Sequence, residues 1–151
     1  KGHMDIICRA LKHFETVYVV VGNNSRKQHW LSWPNRRTLA EIAIKAELGA
    51  DAHRAHAVYT DKMMVDFARE RGASVIIRGL RTVSDFDSEF VLGMNNMQLD
   101  PGIDTVFMLP QPEHHFTSSS SFREIFRYSK ERAKDLIPES VYAQIKEFQA
   151  P

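Results

Sequence analysis

The chain alternates between short apolar runs and longer stretches in which apolar residues recur at helical spacing. The short runs are rich in β-branched residues and end at glycine, proline or asparagine, which predicts strands at 15–21, 56–59, 74–77 and 104–109. The longer stretches predict helices at 5–14, 34–48, 61–71, 84–98, 118–133 and 138–148. Strands that alternate with helices are typical of a parallel sheet. The pattern therefore predicts an α/β, Rossmann-like fold, with an open parallel sheet and helices on both faces.

Several residues mark the expected ends of these helices. Gly49 and Gly72 follow periodic stretches, which predicts that each ends a helix. Thr60 is expected to cap the helix that follows it, and Ser84 is expected to begin the next one.

Composition limits the kind of protein and where it acts. A length of 151 residues with 43% hydrophobic and 26% charged residues predicts one globular domain spanning 1–151. Twenty basic minus nineteen acidic side chains leaves +1, which gives no general attraction for nucleic acid or membrane. Cys8 is the only cysteine, which excludes an intramolecular disulfide and a cysteine-based zinc cluster. The longest apolar run, 17–21, is too short to span a bilayer, and the first residues lack the layout of a secretory signal. We expect a cytoplasmic protein.

Polar residues follow three of the predicted strands. Lys27 comes after the first, Arg78 and Arg81 after the third, and a serine-rich helix start at 118–121 after the fourth. Open α/β sheets bind ligands beyond the carboxyl ends of their strands, and helix amino termini favour anions. The sequence therefore predicts a local phosphate site made of a few cations and backbone donors.

Each of these features also has a purely structural interpretation. The serines can serve only as a helix cap, and the arginines can lie at the surface. Asp85 and Glu89 can neutralise the arginines, bind a ribose hydroxyl or lie on a solvated helix face, and for Asp87 the solvated face is favoured. The histidines show no metal-binding spacing such as H-E-x-x-H, so no metal site is predicted in the protein.

Three motifs occur in a specific order: G-H-M-D-I-I at 2–7, R-G-L-R-T-V-S-D-F at 78–86 and F-T-S-S-S at 116–120. Together they resemble bacterial phosphopantetheine adenylyltransferases over nearly the whole chain. That family belongs to the nucleotidyltransferases with a T-x-G-H or H-x-G-H box. The resemblance implies transfer of the adenylyl group of ATP to 4′-phosphopantetheine, which gives dephospho-coenzyme A and pyrophosphate.

The resemblance also implies roles for individual residues. His3 matches a residue that steadies the triphosphate, Lys27 and Arg78 match cations that hold the pantetheine phosphate, and all three are predicted to be catalytic. Met64 and Asn96 match substrate-binding positions. The predicted ATP-binding positions are His3, Gly79, Leu80, Arg81, Glu89, His114, His115, Phe116, Thr117, Ser118, Ser119 and Ser120. The resemblance further implies Mg²⁺ bound mainly through the ATP phosphates, a homohexamer, and no nucleic-acid or membrane partner.

The sequence departs from the family pattern at its beginning. The family has a central strand and a G-x-F-D-P loop before the T-x-G-H box, whereas this sequence begins inside the box at Lys1. We expect an upstream portion that supplies both. Trp33 and Pro34 stand where the family usually has leucine and an acidic residue, and His114 and His115 replace an aromatic and a small residue.

Two other functions compete with this interpretation. One is another adenylyltransferase or cytidylyltransferase of the same superfamily, against which the block at 78–86 argues. The other is a nonenzymatic ATP-binding α/β module, which commonly has a late glycine-rich phosphate loop; the late phosphate candidate here is serine-rich instead.

Overall fold

Parallel strands and helices alternate along the chain in the computed structural model, which describes residues 1–22, 29–114 and 118–148. The strands in these ranges are β1 Val17–Gly22, β2 Ala55–Thr60, β3 Val75–Gly79 and β4 Asp104–Met108. The α-helices are α1 Gly2–Ala10, α2 Trp33–Leu48, α3 Met64–Glu70, α4 Val83–Leu99, α5 Ser119–Tyr128, α6 Lys130–Ala133 and α7 Glu139–Phe148. Short 3₁₀ segments lie at 49–54, 112–114 and 134–136. Among the described helices, none is both long and apolar enough to cross a membrane.

The strands pair in parallel, two by two. β1 pairs with β2, with Val17 opposite Ala55, and β3 pairs with β4, with Val75 opposite Asp104. Within the described ranges these two pairs form separate hydrogen-bonded ladders. The predicted α/β class, with parallel strands and flanking helices, is confirmed.

Helices cover both faces of the β1–β2 pair. Successive side chains of a strand point in opposite directions, so each strand contacts the helices on both sides. Val17 and Val19 pack on one face against the main core, to which α2 contributes Ala43 and Ile44. Tyr18 points to the other face, where its ring meets that of Phe67 on α3 edge to face at 6.2 Å. Neighbouring side chains of β1 therefore pack against two different helix layers.

Two apolar clusters hold these layers together. The main core joins β2 to α1, α2, α5, α6 and α7 through Met4, Ile7, Leu11, Ala43, Ile44, Ala55, Ala57, Phe122, Phe126, Ala133, Val141, Tyr142 and Ile145. The second core lies between α3 and the β3–β4 pair and consists of Val65, Ala68, Ile76 and Ile103. The helices in these two cores are therefore attached by their apolar residues, whereas α4 contributes to neither core.

Side-chain hydrogen bonds at the chain turns shift several predicted helix boundaries. The two glycine stops are confirmed, since Gly49 and Gly72 have φ of 53° and 66°. The prediction that Thr60 caps the next helix is wrong: its hydroxyl accepts from the Lys62 N–H at 3.1 Å, and α3 begins only at Met64. Such a local bond turns the chain before a helix can start.

Two further boundaries differ from prediction for the same reason. α4 is capped by Thr82, not begun by Ser84, because the Thr82 hydroxyl accepts from the Asp85 N–H at 3.2 Å. The predicted helix 118–133 is broken at Ser129, whose backbone is extended and whose side chain accepts from the Arg132 N–H. A serine inside a periodic stretch thus ends one helix and caps the next.

Arg54 ties the end of α1 to the start of β2. Its guanidinium donates to the carbonyls of Leu11, Phe14 and Glu15 at 2.6, 2.9 and 3.0 Å. These carbonyls follow the helix carboxyl end, where a cation is favoured. The bonds explain why α1 ends at Ala10, earlier than its predicted end at 14.

We expect Arg54→Ala to lower the free energy of unfolding by about 2–3 kcal/mol, because three carbonyls lose a charged donor. Urea denaturation measures this change. Arg37→Ala is the matched control, since within the described part of the chain Arg37 pairs only with Glu41, on the surface of α2, and it should cost less than about 1 kcal/mol. Equal losses in the two variants would contradict the anchoring role of Arg54.

Candidate active site

The carboxyl ends of β3 and β4 meet the first half of α1. Beyond the last paired residues, the Leu80 N–H donates to the Met108 carbonyl at 3.0 Å, which keeps the two strand ends side by side. The segment after β4 then returns to α1, where the Gln111 N–H donates to the Asp5 carboxylate at 3.0 Å. The amino half of α1 therefore lies at the edge of the sheet where ligands are expected.

α1 packs against this edge at two glycines. A Cβ added to Gly79 would lie 3.8 Å from Cγ1 of Ile6, and one added to Gly2 would lie 3.6 Å from Cβ of His114. Both are ordinary van der Waals distances, so Ile6 lies close to Gly79 and His114 lies close to Gly2. Gly79 and His114, two predicted nucleotide-binding positions, are therefore brought to the same helix.

His3 lies at the beginning of α1, in a crowded position that solvent still reaches. Desolvation by the surrounding protein lowers its pKa, and the positive charge of Arg81 lowers it further. The imidazole is therefore neutral near pH 7, with one N–H donor and one acceptor. An anion bound beside Arg81 would favour the protonated form, so His3 can gain a positive charge as a phosphate arrives.

We expect the imidazole of His3 in the free protein to titrate below the ordinary value of 6.5. Between that lowered pKa and 6.5 the unfolded chain binds the proton more readily than the folded chain does. Protonation of His3 therefore favours the unfolded chain. The neutral His3 makes its full contribution to the free energy of unfolding above pH 6.5, and this contribution is lost as the pH falls through the folded pKa. An NMR titration of the ring protons measures the midpoint. A midpoint for His3 above 6.5 would contradict the prediction.

Both arginines of the R-G-L-R motif pair with carboxylates of α4. Arg78 donates to Glu89 through Nε and Nη2 at 2.6 and 2.8 Å, and Arg81 lies 3.3 Å from Asp85. Asp85 and Glu89 are four residues apart, so they share one face of the helix. Of the interpretations left open by the sequence, neutralisation holds for both acids. Asp87 is exposed on the same helix and makes no ion pair with the described residues.

The two predicted pantetheine-pocket residues lie in different environments. Met64 begins α3, is half-buried and packs against the second core, so it lies beside β3. Asn96 is buried, and its side-chain amide donates to the Thr105 hydroxyl on β4 at 3.2 Å. Thr105 pairs with Ile76, two residues before Arg78, so Asn96 joins α4 to the amino half of the sheet. Its substrate-binding role stays a prediction.

The serine-rich segment begins α5, as predicted. Ser118 is the cap, since its hydroxyl accepts from the Ser121 N–H at 3.0 Å, and Ser119 and Ser120 form the exposed first turn. Arg123 was missed by the sequence reasoning: it donates to the Ser119 carbonyl and the Ser120 hydroxyl, both at 3.2 Å. The signal available was a basic residue one turn after the serines.

An open, basic cleft runs along α5 from this first turn. Its lining includes Ser120, Trp30, Arg123, Arg127 and Lys130. α5 is attached to the same main core as α1, through Phe122 in its first turn and Met4 in the first turn of α1. Four predicted site residues, Lys27, His115, Phe116 and Thr117, lie outside the described residues.

Comparison with known proteins places this arrangement in a class. A family model described as cytidylyltransferase-like matches residues 1–125, which contain the strand ends, α1 and the first turns of α5. The chain is thus a nucleotidyltransferase enzyme. The chain is also 40% identical over 146 residues to the phosphopantetheine adenylyltransferase of Rubrobacter xylanophilus, covering 97% of this chain and 85% of that protein. The chain belongs to the phosphopantetheine adenylyltransferase family, as its motifs predict.

Proposed function

We propose that the protein transfers the adenylyl group of ATP to 4′-phosphopantetheine, giving dephospho-coenzyme A and pyrophosphate. The observation that carries this proposal is that Arg78 and Arg81 lie at the carboxyl end of β3, with Arg81 near His3 of α1, in a chain 40% identical to a phosphopantetheine adenylyltransferase. We also propose a cytoplasmic location, which the lone cysteine supports.

The reaction needs positioning and charge neutralisation more than covalent chemistry. A phosphate oxygen of phosphopantetheine attacks the α-phosphorus of ATP, the new P–O bond forms, and the bond to the β-phosphate oxygen breaks in line. Two anionic reactants must therefore be held close together. No atom of the protein becomes bonded to the adenylyl group in this scheme.

The described residues can be divided between the two reactants. Arg78 would hold the phosphate of phosphopantetheine, because a guanidinium fork matches phosphate geometry. Arg81 and neighbouring His3 would face the triphosphate and meet the charge that develops on the leaving pyrophosphate. The first-turn N–H groups of α5 would add uncharged donors to the same chain of phosphates.

Mg²⁺ would accompany the nucleotide. In the described ranges, no three His, Cys, Asp or Glu side chains lie together in a way that could hold a metal ion. The donors that fit the ion are therefore the ATP phosphate oxygens, and when bound it would neutralise part of their charge. The protein's own residues would position the complex by contacting the remaining oxygens.

The homohexamer implied by the family resemblance is also a proposal, and α4 supports it. Eight large apolar side chains of this helix are exposed: Val83, Phe86, Phe90, Val91, Leu92, Met94, Met97 and Leu99. Contiguous apolar surface of this kind is typical of protein interfaces. We propose that further copies of the chain cover it. Light scattering after size-exclusion chromatography tests this, and a monomer at micromolar concentration would contradict it.

A coupled pyrophosphate-release assay tests the proposed reaction. We expect release from ATP only when 4′-phosphopantetheine is present, and none with pantetheine, which lacks the attacking phosphate. CTP in place of ATP tests for a cytidylyltransferase, and nicotinamide mononucleotide in place of phosphopantetheine tests for another adenylyltransferase of the superfamily. Release with either of them and none with phosphopantetheine would overturn the proposal, as would ping-pong kinetics, which indicate a covalent enzyme intermediate.

A further inference from the structure

The side chain of Arg78 is fixed by two hydrogen bonds to a single carboxylate. Its Nε and Nη2 donate to the two oxygens of Glu89 at 2.6 and 2.8 Å, a bidentate geometry that sets the plane of the guanidinium. The pair is partly shielded, with 36% of the Arg78 side chain and 21% of the Glu89 side chain exposed. Glu89 therefore determines which edge of Arg78 faces away from the helix.

Both partners are attached to well-anchored backbone. Arg78 is the fourth residue of β3 and pairs with Phe107 in the ladder with β4. Glu89 lies in the second turn of α4, whose start is held by the Thr82 cap and by the Arg81–Asp85 ion pair. A side chain held from such elements keeps its direction better than one held from a loop.

The bidentate pair leaves one edge of the guanidinium free. Glu89 takes the Nε–Nη2 edge, so the N–H groups on the Nη1–Nη2 edge remain for another acceptor. Among the residues that the structure describes, no other hydrogen bond of Arg78 is present. That edge has the spacing that suits two oxygens of one phosphate group.

We infer that Glu89 is a positioning residue, which holds Arg78 so that its free edge receives the phosphate of 4′-phosphopantetheine. This inference rests on the proposed function and deepens it. It differs from the role implied by the family resemblance, which assigns Glu89 to the nucleotide. In the structure Glu89 instead binds Arg78, the residue assigned to the phosphate of phosphopantetheine. Glu89 therefore acts on this substrate only through Arg78.

The sign of a mutational effect separates positioning from simple electrostatics. Glu89 is an anion near a site for anions, so its charge alone repels the incoming phosphate. If charge alone mattered, removing the carboxylate would tighten phosphate binding. If Glu89 orients Arg78, removing it frees a flexible side chain that must be ordered again on binding, and affinity falls.

Isothermal titration calorimetry on the full chain tests the inference without turnover. We expect Glu89→Ala to raise the Kd for phosphopantetheine about tenfold, and Glu89→Gln, which keeps one acceptor, to raise it about threefold. The Kd for ATP should change less than about twofold in both variants. Asp87→Asn is the matched control, because it removes a charge from the same helix without touching Arg78, and it should bind phosphopantetheine normally. Should Glu89→Ala fail to fold, Glu89→Gln carries the test.

A double variant decides whether the effect passes through Arg78. In an Arg78→Ala background, adding Glu89→Ala should cause no further loss of affinity for phosphopantetheine, because only the repulsion between the unpaired carboxylate and the phosphate is left to remove. A further loss there, an unchanged or lower Kd in the single variants, or a loss confined to ATP would overturn the inference. Failure of the proposed function looks different: the wild-type chain would not bind phosphopantetheine at all.

Discussion

Replacing His3 with alanine is expected to reduce kcat for adenylyl transfer by about 100-fold or more. His3 lies beside Arg81, where the triphosphate would bind, and its lowered pKa means that it is neutral until an anion arrives. Its N–H groups therefore meet negative charge that grows in the transition state. Steady-state pyrophosphate release measures kcat at saturating ATP and phosphopantetheine.

The matched control for this variant is His13→Ala. His13 is exposed in the turn after α1, away from the strand ends, so both kcat and KM should stay near wild type. Thermal unfolding checks that His3→Ala is folded. A kcat within about threefold of wild type would remove His3 from the catalytic residues.

Replacing Arg78 with alanine is expected to lower kcat/KM for phosphopantetheine by about 100-fold or more. The variant loses the charged fork for the phosphate and leaves the Glu89 carboxylate without its partner, so the local charge becomes negative. Arg78→Lys should restore little, because an ammonium cannot bind Glu89 and a phosphate along two edges at once. Varying each substrate in turn separates this effect from any change in the KM for ATP.

Arg69 provides the control for losing a carboxylate-paired arginine. It lies in the last turn of α3, contacts Asp100 through Nε and Nη2 at 2.9 and 2.7 Å, and is not among the predicted site residues, so Arg69→Ala should keep normal kcat/KM. Equal losses in the two variants would show that Arg78 acts through stability and not through substrate.

Much of the fold could be predicted because burial follows periodicity. The strands and the last helix were confirmed within a few residues, since short apolar runs and helical apolar spacing indicate which segments are covered. Besides the end of α1, the errors lie at Thr60, Ser84 and Ser129, where one hydroxyl can accept from any of several nearby N–H groups. Which N–H donates depends on local geometry and not on residue type.

The sequence indicates which residue types form the site, but not which side chains pair with one another. The motif at 78–81 indicated phosphate chemistry, yet the partner of each arginine depends on how α4 lies across β3, and three roles for its acids stayed open. The Asn96–Thr105 bond was missed for a related reason, because the packing of α4 on β4 sets it, whereas the contact of Arg123 with Ser119 and Ser120 follows from helical spacing within α5. The order of residues along the chain does not give the distances between side chains on different elements.

The carboxylates of α4 also affect which anions can bind at Arg78 and Arg81 in the free enzyme. Because Arg78 and Arg81 already have counterions from their own chain, only part of each guanidinium is left for an outside anion. We expect a stray sulfate or inorganic phosphate, which makes few other contacts, to bind that remaining edge weakly, whereas a long substrate anchored along its whole length binds it tightly. Common cellular anions would then compete poorly with the two reactants.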